Sequence, residues 1–161
     1  MSILSPETVP IIYAYQGASA SMADTCDWIS LANARGCLIT VVESGNNATD
    51  LILSHVHQGI TNGVQGAIPA LTTGQEFPIW INVLTTTTDA MVRQANGLTY
   101  TLLHSAIPRI VQFYVPAAIL SPGYSWIQLG SSAGHASNTV SVIYQLDGER
   151  YKEATPPTAI A

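Results

Sequence analysis

The residues best suited to chemistry in this chain are two histidines in the segment His55-Val56-His57. If this segment is a strand, both imidazoles lie on one face, in the i, i+2 geometry of some metal sites. A metal site would need a further ligand, and the candidates Asp50, His104 and His135 stand at no diagnostic spacing. We therefore expect these histidines to be polar residues at the exposed end of a strand, and we predict no metal and no cofactor.

Nucleophilic catalysis needs a serine or cysteine beside a base and an orienting group. The candidates here are mostly sequence neighbours, as in Ser54-His55, His104-Ser105 and Cys26-Asp27. Adjacent residues of a strand point to opposite faces, so adjacency argues against a working pair. The chain has no P-loop or G-x-G-x-x-G motif, and no two of its ten acidic residues stand out as a glycosidase pair. The sequence predicts that the protein is not an enzyme.

The aromatic residues offer a different chemistry, the stacking of sugar rings. The chain has three tryptophans, Trp28, Trp80 and Trp126, and seven tyrosines. Large aromatic residues more often serve as anchors of a core or an interface. Trp28 and Trp126 each fall within a strand pattern, which favours the core. A carbohydrate-binding β-sandwich therefore stays open as an alternative.

The elements that would position these residues are short apolar runs rich in Val, Ile, Thr, Tyr and Trp, which are typical of strands. We predict nine strands, near Ile11–Gln16, Asp27–Leu31, Cys37–Glu43, Asp50–His57, Phe77–Leu84, Leu98–His104, Arg109–Val115, Ser125–Gly130 and Thr139–Leu146. Turn residues separate them, which favours an antiparallel arrangement. The predicted fold class is all-β, an antiparallel β-sandwich of jelly-roll type.

The strand Thr139–Leu146 alternates clearly. Val140, Val142 and Tyr144 fall on one face, and Ser141, Ile143 and Gln145 fall on the other. Because both faces are partly apolar, we expect a sheet that is covered on two sides.

The segment before Gly97 has two readings. It fits a short helix from Thr88 to Asn96, capped by Thr87 or Thr88 and ended by Gly97. It also fits a hairpin turn at Asn96-Gly97. We prefer the helix, which would be the only one in the chain.

Charge is scarce in this sequence. Charged residues make up 9% of it, against about 25% in an average soluble protein, and none occurs from Ile110 to Leu146. Pro116, Pro122 and Gly123 interrupt that run, so we predict no membrane span. The five basic residues are scattered, which argues against nucleic-acid binding. A chain with so little charge is expected to cover much of its surface with copies of itself or with a partner.

The predicted organisation is a β-sandwich domain over residues 11–152, an N-terminal arm over residues 1–10 and a C-terminal arm over residues 153–161. Residues 1–10 have neither a basic n-region nor an apolar h-region, so we expect no signal peptide, and Cys26 and Cys37 are expected to be reduced and buried. The arms and the Gly59–Gln75 loop are the predicted interface elements. Their candidate contact residues are Pro6, Pro10, Ile60, Val64, Ile68, Arg150, Tyr151, Pro156, Pro157 and Ile160.

The order of several segments resembles a family of small structural proteins of tailed bacteriophages, the jelly-roll capsid decoration, or cement, proteins. The segments that carry this resemblance are Tyr15–Ser19, Asp27–Ala34, Leu98–Thr101, Ile110–Val115, Ala117–Leu120, Gly123–Leu129, Val140–Leu146, Arg150-Tyr151 and Pro156–Ile160. Pro116 departs from the pattern, which would place an acidic residue there.

The resemblance implies a homo-oligomer, most plausibly a trimer, whose partner is the phage major capsid protein. It also implies synthesis in the cytoplasm of a bacterial host and a final location on the capsid surface of the virion. It supplies no catalytic residues. A head–tail adaptor, tail or spike component of the same fold is the nearest alternative.

Overall fold

The protein's structure is a computed structural model that describes residues 11–22, 25–45, 51–53, 55–60, 70–83, 90–102, 108–132 and 134–148. These residues form short 3-10 helices at Ser19–Ser21 and Ala117–Ile119. They also form eleven strands: β1 (Ile11–Ala18), β2 (Ile29–Ser30), β3 (Gly36–Ser44), β4 (Leu51–Leu53), β5 (His55–Gly59), β6 (Ile79–Val83), β7 (Val92–Arg93), β8 (Tyr100–Leu102), β9 (Arg109–Pro116), β10 (Trp126–Gly130) and β11 (Thr139–Asp147).

The strands form two layers. One is a six-stranded sheet with the order β1-β11-β3-β9-β6-β7. The other contains the three strands β2-β10-β5 and the pair β4-β8, in which β4 precedes β5 by a single residue. Every strand pairing is antiparallel among the described residues. The prediction of an all-β antiparallel sandwich is confirmed.

The core lies between the layers, on the inward faces of β3, β9 and β11. Cross-strand register groups the inward residues into three rows: Val41, Val111 and Val142; Ile39, Phe113 and Tyr144; and Cys37, Val115 and Leu146. None of these residues is more than 2% exposed, and they pack in one cluster with Val56, Ile127 and Leu129 of the opposite layer. Each large apolar side chain buried in this way contributes about 1.5–3 kcal/mol.

One buried hydroxyl joins the two layers. Strand β2 pairs only with Trp126 and Ile127 of β10, so Leu129 lies beyond the last residue that β2 reaches. The backbone N–H of Leu129 donates instead to the hydroxyl of Tyr144 in the opposite sheet, at 2.9 Å. Tyr144 is fully buried, and burial raises its pKa well above 10.0. The tyrosine thus fills the core and satisfies a backbone group that the short strand leaves open.

The predicted strands all have counterparts in the structure, with two refinements and one error. The predicted strand Asp50–His57 is divided into β4 and β5, and β7 was not expected. The predicted helix Thr88–Asn96 is wrong in its described part. There Val92 and Arg93 form β7 and pair with Ile81 and Trp80, while Gly97 bridges to Phe77. Backbone pairing with an available sheet edge outweighs the local helical preference of a short segment.

Both cysteines are free and buried, as expected. Burial raises the pKa of the Cys37 thiol to about 12, so it is protonated and unreactive at neutral pH. Within the described ranges, no helix is long and apolar enough to cross a membrane.

The hydrogen bond from Leu129 to Tyr144 can be tested by Tyr144→Phe, which removes the acceptor and leaves a buried N–H. We expect the free energy of unfolding to fall by about 1–3 kcal/mol, measured by denaturant titration. The control is Tyr13→Phe, since Tyr13 is 52% exposed and its hydroxyl makes only a 3.4 Å contact with Ser141. An equal loss in both variants would contradict the assigned role of Tyr144.

Candidate interaction surface

The side of the six-stranded sheet that faces away from the core carries no charge over its central strands. Because side chains alternate along a strand, the residues between the core positions of β3, β9 and β11 all point outward. They form three rows, which together we call the outer face: Ser141, Val42 and Ile110; Ile143, Thr40 and Gln112; and Gln145, Leu38 and Tyr114. All nine are partly exposed and none is ionisable except the tyrosine.

Two polar side chains of the outer face, those of Gln112 and Tyr114, have hydrogen-bond partners on the face or at its rim. The amide of Gln112 donates to the hydroxyl of Thr40 across two strands, at 3.1 Å. At one end of the face, the Tyr114 hydroxyl donates to a carboxylate oxygen of Asp147, at 2.7 Å. Covering a polar group costs little when it keeps a hydrogen-bond partner. The outer face can therefore be covered at lower cost than a surface whose polar groups depend on water.

The outer face continues onto the edge strand β1. Ile11 pairs with Gln145 and Tyr13 with Ile143, and these two residues are 58% and 52% exposed. A bulge between Tyr13 and Tyr15 interrupts the register, and the carbonyl of Ala14 accepts from the N–H of Asp27. Bulges of this kind discourage uncontrolled pairing at a sheet edge. The side chains of Ile11 and Tyr13 therefore extend the outer face, while the bulge limits backbone pairing of β1 with another chain.

The opposite edge strand of the same sheet, β7, carries a charged residue. Arg93 on β7 lies over the ring of Trp80, with its guanidinium carbon 5.1 Å from the ring centre. Such cation–π contacts cover an aromatic face with a charged group. Val92 beside it is 56% exposed. The charge-free region is therefore bounded by Arg93 on one side and by Asp147 at one end.

Several predicted interface elements leave the sandwich from one end. Ile11, the first described residue, pairs with Gln145, and β11 ends two residues later at Asp147. In the other layer, β5 ends at that same end, where Gly59 pairs with Trp126 and Ile60 follows, 60% exposed. Segments 1–10, 61–69 and 149–161 therefore all attach to this end, which we call the arm end.

Of the predicted contact residues, Ile60 is the one that the structure describes, and it is exposed. The other nine lie outside the described residues: Pro6, Pro10, Val64, Ile68, Arg150, Tyr151, Pro156, Pro157 and Ile160.

The arm end holds an open cavity of about 320 Å³. One wall is formed by Leu31, Ala32 and Ala34, between β2 and β3. The other wall is formed by Ala117, Ala118 and Leu120, after β9, with Tyr124 and Ser125 beside it. We call it the alanine cavity. No charged residue is among its described lining residues, so it continues the uncharged character of the outer face.

A second cavity, of about 240 Å³, lies at the opposite end, between β6, β8 and β9. It combines the apolar side chains of Ile81 and Leu102 with Asn82, Tyr100 and Arg109. Burial raises the pKa of Tyr100, and the nearby positive charge of Arg109 partly offsets this effect. Arg109 is the charged residue among the described lining residues, and it stands opposite Glu43 in the strand register. The cavity holds no cysteine or serine that could act as a nucleophile among the described lining residues.

The candidate chemical residues that the structure describes form no metal-binding group. His57 lies on β5 with its ring centre 6.4 Å from that of Trp28, while Asp50 and His104 lie outside the described residues. In the part of the chain that the structure describes, no three of His, Cys, Asp and Glu form a group that could hold a metal ion. Cys26, like Cys37, is buried in the core. The described aromatics also form no exposed row, since Tyr13 alone among them is classed as exposed.

No protein-family model, curated protein or solved structure matches this chain.

The hydrogen bond at the end of the outer face gives a pH-dependent prediction. Burial and the contact with Asp147 raise the pKa of Tyr114 from 10.0 to about 12. The stability that this tyrosine contributes is therefore fully present below pH 10.0 and is lost as the pH rises through about 12. We expect the stability difference between the natural protein and Tyr114→Phe to be constant up to about pH 10 and to shrink above it.

The measurement is the free energy of unfolding of both proteins from pH 8 to pH 12, at constant salt. Tyr144 and Cys37 are buried in both proteins, so their alkaline titration cancels in the comparison. A difference that does not change over this range would contradict the assigned role of the Tyr114 hydroxyl.

Proposed function

We propose that this protein is a non-enzymatic structural subunit of a larger assembly, a decoration protein that binds the outside of a tailed-phage head and stabilises it. The observation that carries the proposal is the uncharged outer face, which spans β11, β3 and β9 and continues onto β1. A surface of this size without charge is unusual for a protein that stays alone in water.

The net charge explains why copies would meet through this face. The chain carries a formal charge of −5, so copies repel one another through most of their surfaces. Contact through the outer face places no like charges against one another. Its apolar side chains gain from burial, and the side chains of Gln112 and Tyr114 keep the partners they already have. Self-association is therefore the least costly use of this surface.

The way the chain is wound supports the proposal. Strands β1, β3, β9 and β11 lie in one layer, and the strands β2, β5 and β10 that separate them in the sequence lie in the other. Repeated crossing between two antiparallel layers is how a jelly roll is wound, and that fold is common in viral capsid proteins. Fold alone does not define function, so the phage partner rests on the resemblance of the sequence segments and on the surface.

The nearest alternative is a neck, tail or spike component of the same fold. Symmetry distinguishes the two, because a decoration protein at a threefold position forms trimers and a neck or tail component forms sixfold or twelvefold rings. The carbohydrate-binding alternative would use a row of exposed aromatic side chains, and among the described residues Tyr13 stands alone in that respect.

Self-association through the outer face is tested by Ile143→Lys. Ile143 lies in the middle row between Tyr13 and Thr40, so a lysine here would bring an unpaired charge into the contact. We expect the association constant, measured by sedimentation equilibrium, to fall at least about tenfold, which is about 1.4 kcal/mol. The free energy of unfolding of the subunit should change by less than about 1 kcal/mol, since the side chain is partly exposed.

The control for this test is Ser137→Lys, which adds the same charge at an exposed position of the connection between β10 and β11. It should leave the association constant unchanged. A natural protein that stays monomeric at high concentration would refute self-association. Equal effects of the two substitutions would show that copies meet through a different surface.

The decoration role is tested on phage heads prepared with and without this chain. Heads that carry it should withstand a higher temperature or a longer exposure to a chelator before releasing DNA, because additional contacts hold neighbouring capsid subunits together. The measurement is DNA release followed by dye fluorescence. Heads of equal stability in the two preparations would exclude this role and leave the neck or tail alternatives.

A further inference from the structure

We propose that the alanine cavity is a binding site for an alkylammonium or alkylguanidinium group, the charged group of lysine, arginine and simple amines. None of its lining residues belongs to the outer face, so the inference does not depend on the proposed self-association. It combines a preformed cavity, walls whose open polar groups are mostly hydrogen-bond acceptors, and the negative net charge of the chain.

The alanine cavity is preformed, because backbone hydrogen bonds join its two walls. The N–H of Leu31 donates to the carbonyl of Ser125 at 2.6 Å, and the N–H of Ala117 donates to the carbonyl of Arg35 at 2.8 Å. A site that needs no rearrangement loses less entropy when a ligand binds.

The wall that follows β9 is also tied to the rest of the sandwich. The side chain of the buried Gln58 binds Ser121 twice, accepting from its N–H at 2.8 Å and donating to its hydroxyl at 3.1 Å. The amide of Gln75 donates to the carbonyl of Ile119. The shape of the cavity is therefore set by the fold and does not depend on a ligand.

The polar surface of the cavity comes mainly from the backbone. The cavity exposes more polar than apolar surface, although its lining side chains other than those of Tyr124 and Ser125 are hydrocarbon. Leu31 and Ala34 are buried, which further reduces the apolar contribution. Backbone N–H and carbonyl groups of the two walls therefore supply most of the surface that a ligand meets.

The backbone N–H groups of the lining residues are almost all occupied. The N–H of Ala32 donates to the hydroxyl of Ser30 at 3.3 Å. Six others donate to backbone carbonyls: those of Leu31, Ala34, Ala117, Leu120, Tyr124 and Ser125. Among the described lining residues, the N–H of Ala118 is the one that donates to no protein group. The walls thus offer a ligand few donors.

The carbonyl oxygens of the same residues show the opposite pattern. No described residue donates a hydrogen bond to the carbonyls of Ala32, Ala34, Ala118, Leu120 and Tyr124. The hydroxyls of Tyr124 and Ser125, which can also accept, have no hydrogen-bond partner among the described residues either. A ligand in the alanine cavity therefore meets several acceptors and no charged lining residue.

A site rich in acceptors selects a ligand that donates hydrogen bonds. Ammonium and guanidinium groups carry several donors and no acceptor, so they match these walls. Sugar hydroxyls both donate and accept, and a sugar would leave its own acceptors unpaired here. A calcium ion needs about six to eight oxygen ligands, usually with carboxylates. The cavity of about 320 Å³ is much larger than a bare ion, and no carboxylate is among its described lining residues.

The charges around the cavity favour a cation. The net charge of −5 attracts cations to the protein, and the ring of Tyr124 in the wall can add a cation–π contact. Arg35 follows Ala34 of the wall, but its side chain lies where a Cβ on Gly148 would be. The pKa of Tyr114 is raised by burial and by Asp147 and lowered by Arg35, so these two charges lie near the same residue and offset one another.

The first experiment titrates the full-length protein with n-butylammonium and n-butylguanidinium, followed by nuclear magnetic resonance of the backbone amides. The comparison ligands are 1-butanol, which is uncharged, and butyrate, which is an anion. We expect both cations to bind at least tenfold more tightly than either comparison ligand and to shift the amide signals of Ala118 and Tyr124. Equal binding of 1-butanol, or tighter binding of butyrate or of calcium, would overturn the proposal.

Substitutions at the rim locate the binding site. Ala118 is exposed, so Ala118→Lys places a competing ammonium group at the cavity without disturbing the core, and it should weaken n-butylammonium binding at least tenfold. Ala118→Glu should strengthen binding. The matched control is Ala136→Lys, at an exposed alanine between β10 and β11, which changes the net charge equally and should have little effect. Equal losses in the two lysine variants would overturn the proposal.

A further ligand distinguishes the two sources of such a cation. N-acetyl-lysine N-methylamide presents the ammonium group as a protein side chain does, whereas n-butylammonium is a free amine. Similar affinities would identify a basic side chain of a partner as the ligand, and binding of n-butylammonium alone would identify a small free amine. Binding of neither would overturn the proposal. Ile143→Lys lies outside the cavity and should leave cation binding unchanged, so this proposal and self-association can fail separately.

Discussion

The alternation of side chains along β3, β9 and β11 is the constraint on which the rest of the structure depends. Each of these strands must place every second residue in the core, where Tyr144 and its row neighbours Ile39 and Phe113 are almost fully buried. The same geometry fixes the intervening residues on the opposite side. A sandwich of two layers covers only one side of each sheet, so the outer face results directly from the fold. What is particular to this chain is that no charged residue was placed there.

The strands could be predicted because their residue types carry the information locally. Val140 to Leu146 alternates strictly, and β-branched and aromatic residues suit no other element as well. The pairing of the strands could not be read in the same way. That Thr40 lies between Ile143 and Gln112 depends on contacts between segments far apart in sequence, and no local pattern encodes them. The sequence therefore predicted that Ser141, Ile143 and Gln145 share one face of a strand, but it did not predict which residues of the neighbouring strands lie beside them.

The wrongly predicted helix also shows that local sequence does not encode pairing between distant segments. Thr88 to Asn96 has a plausible cap and a glycine at the right place, and an isolated reading favours a helix. In the fold, β7 pairs with the edge of β6 that β9 leaves unpaired, and Arg93 gains both this backbone pairing and a contact with the ring of Trp80. Two residues of tertiary pairing decided the conformation. The alanine cavity was equally hidden, because its walls come from two connections about ninety positions apart in the sequence, and their small residues have no pattern of their own.

The two cysteines have a consequence for where such a protein can work. Each is enclosed in the core, and the thiol of Cys37 does not ionise at neutral pH. Thiol–disulfide exchange requires a thiolate that another sulfur can reach. The fold therefore gains nothing from an oxidising environment and loses nothing in a reducing one. These two thiols are therefore expected to keep the same redox state in a glutathione-rich medium and in aerated water.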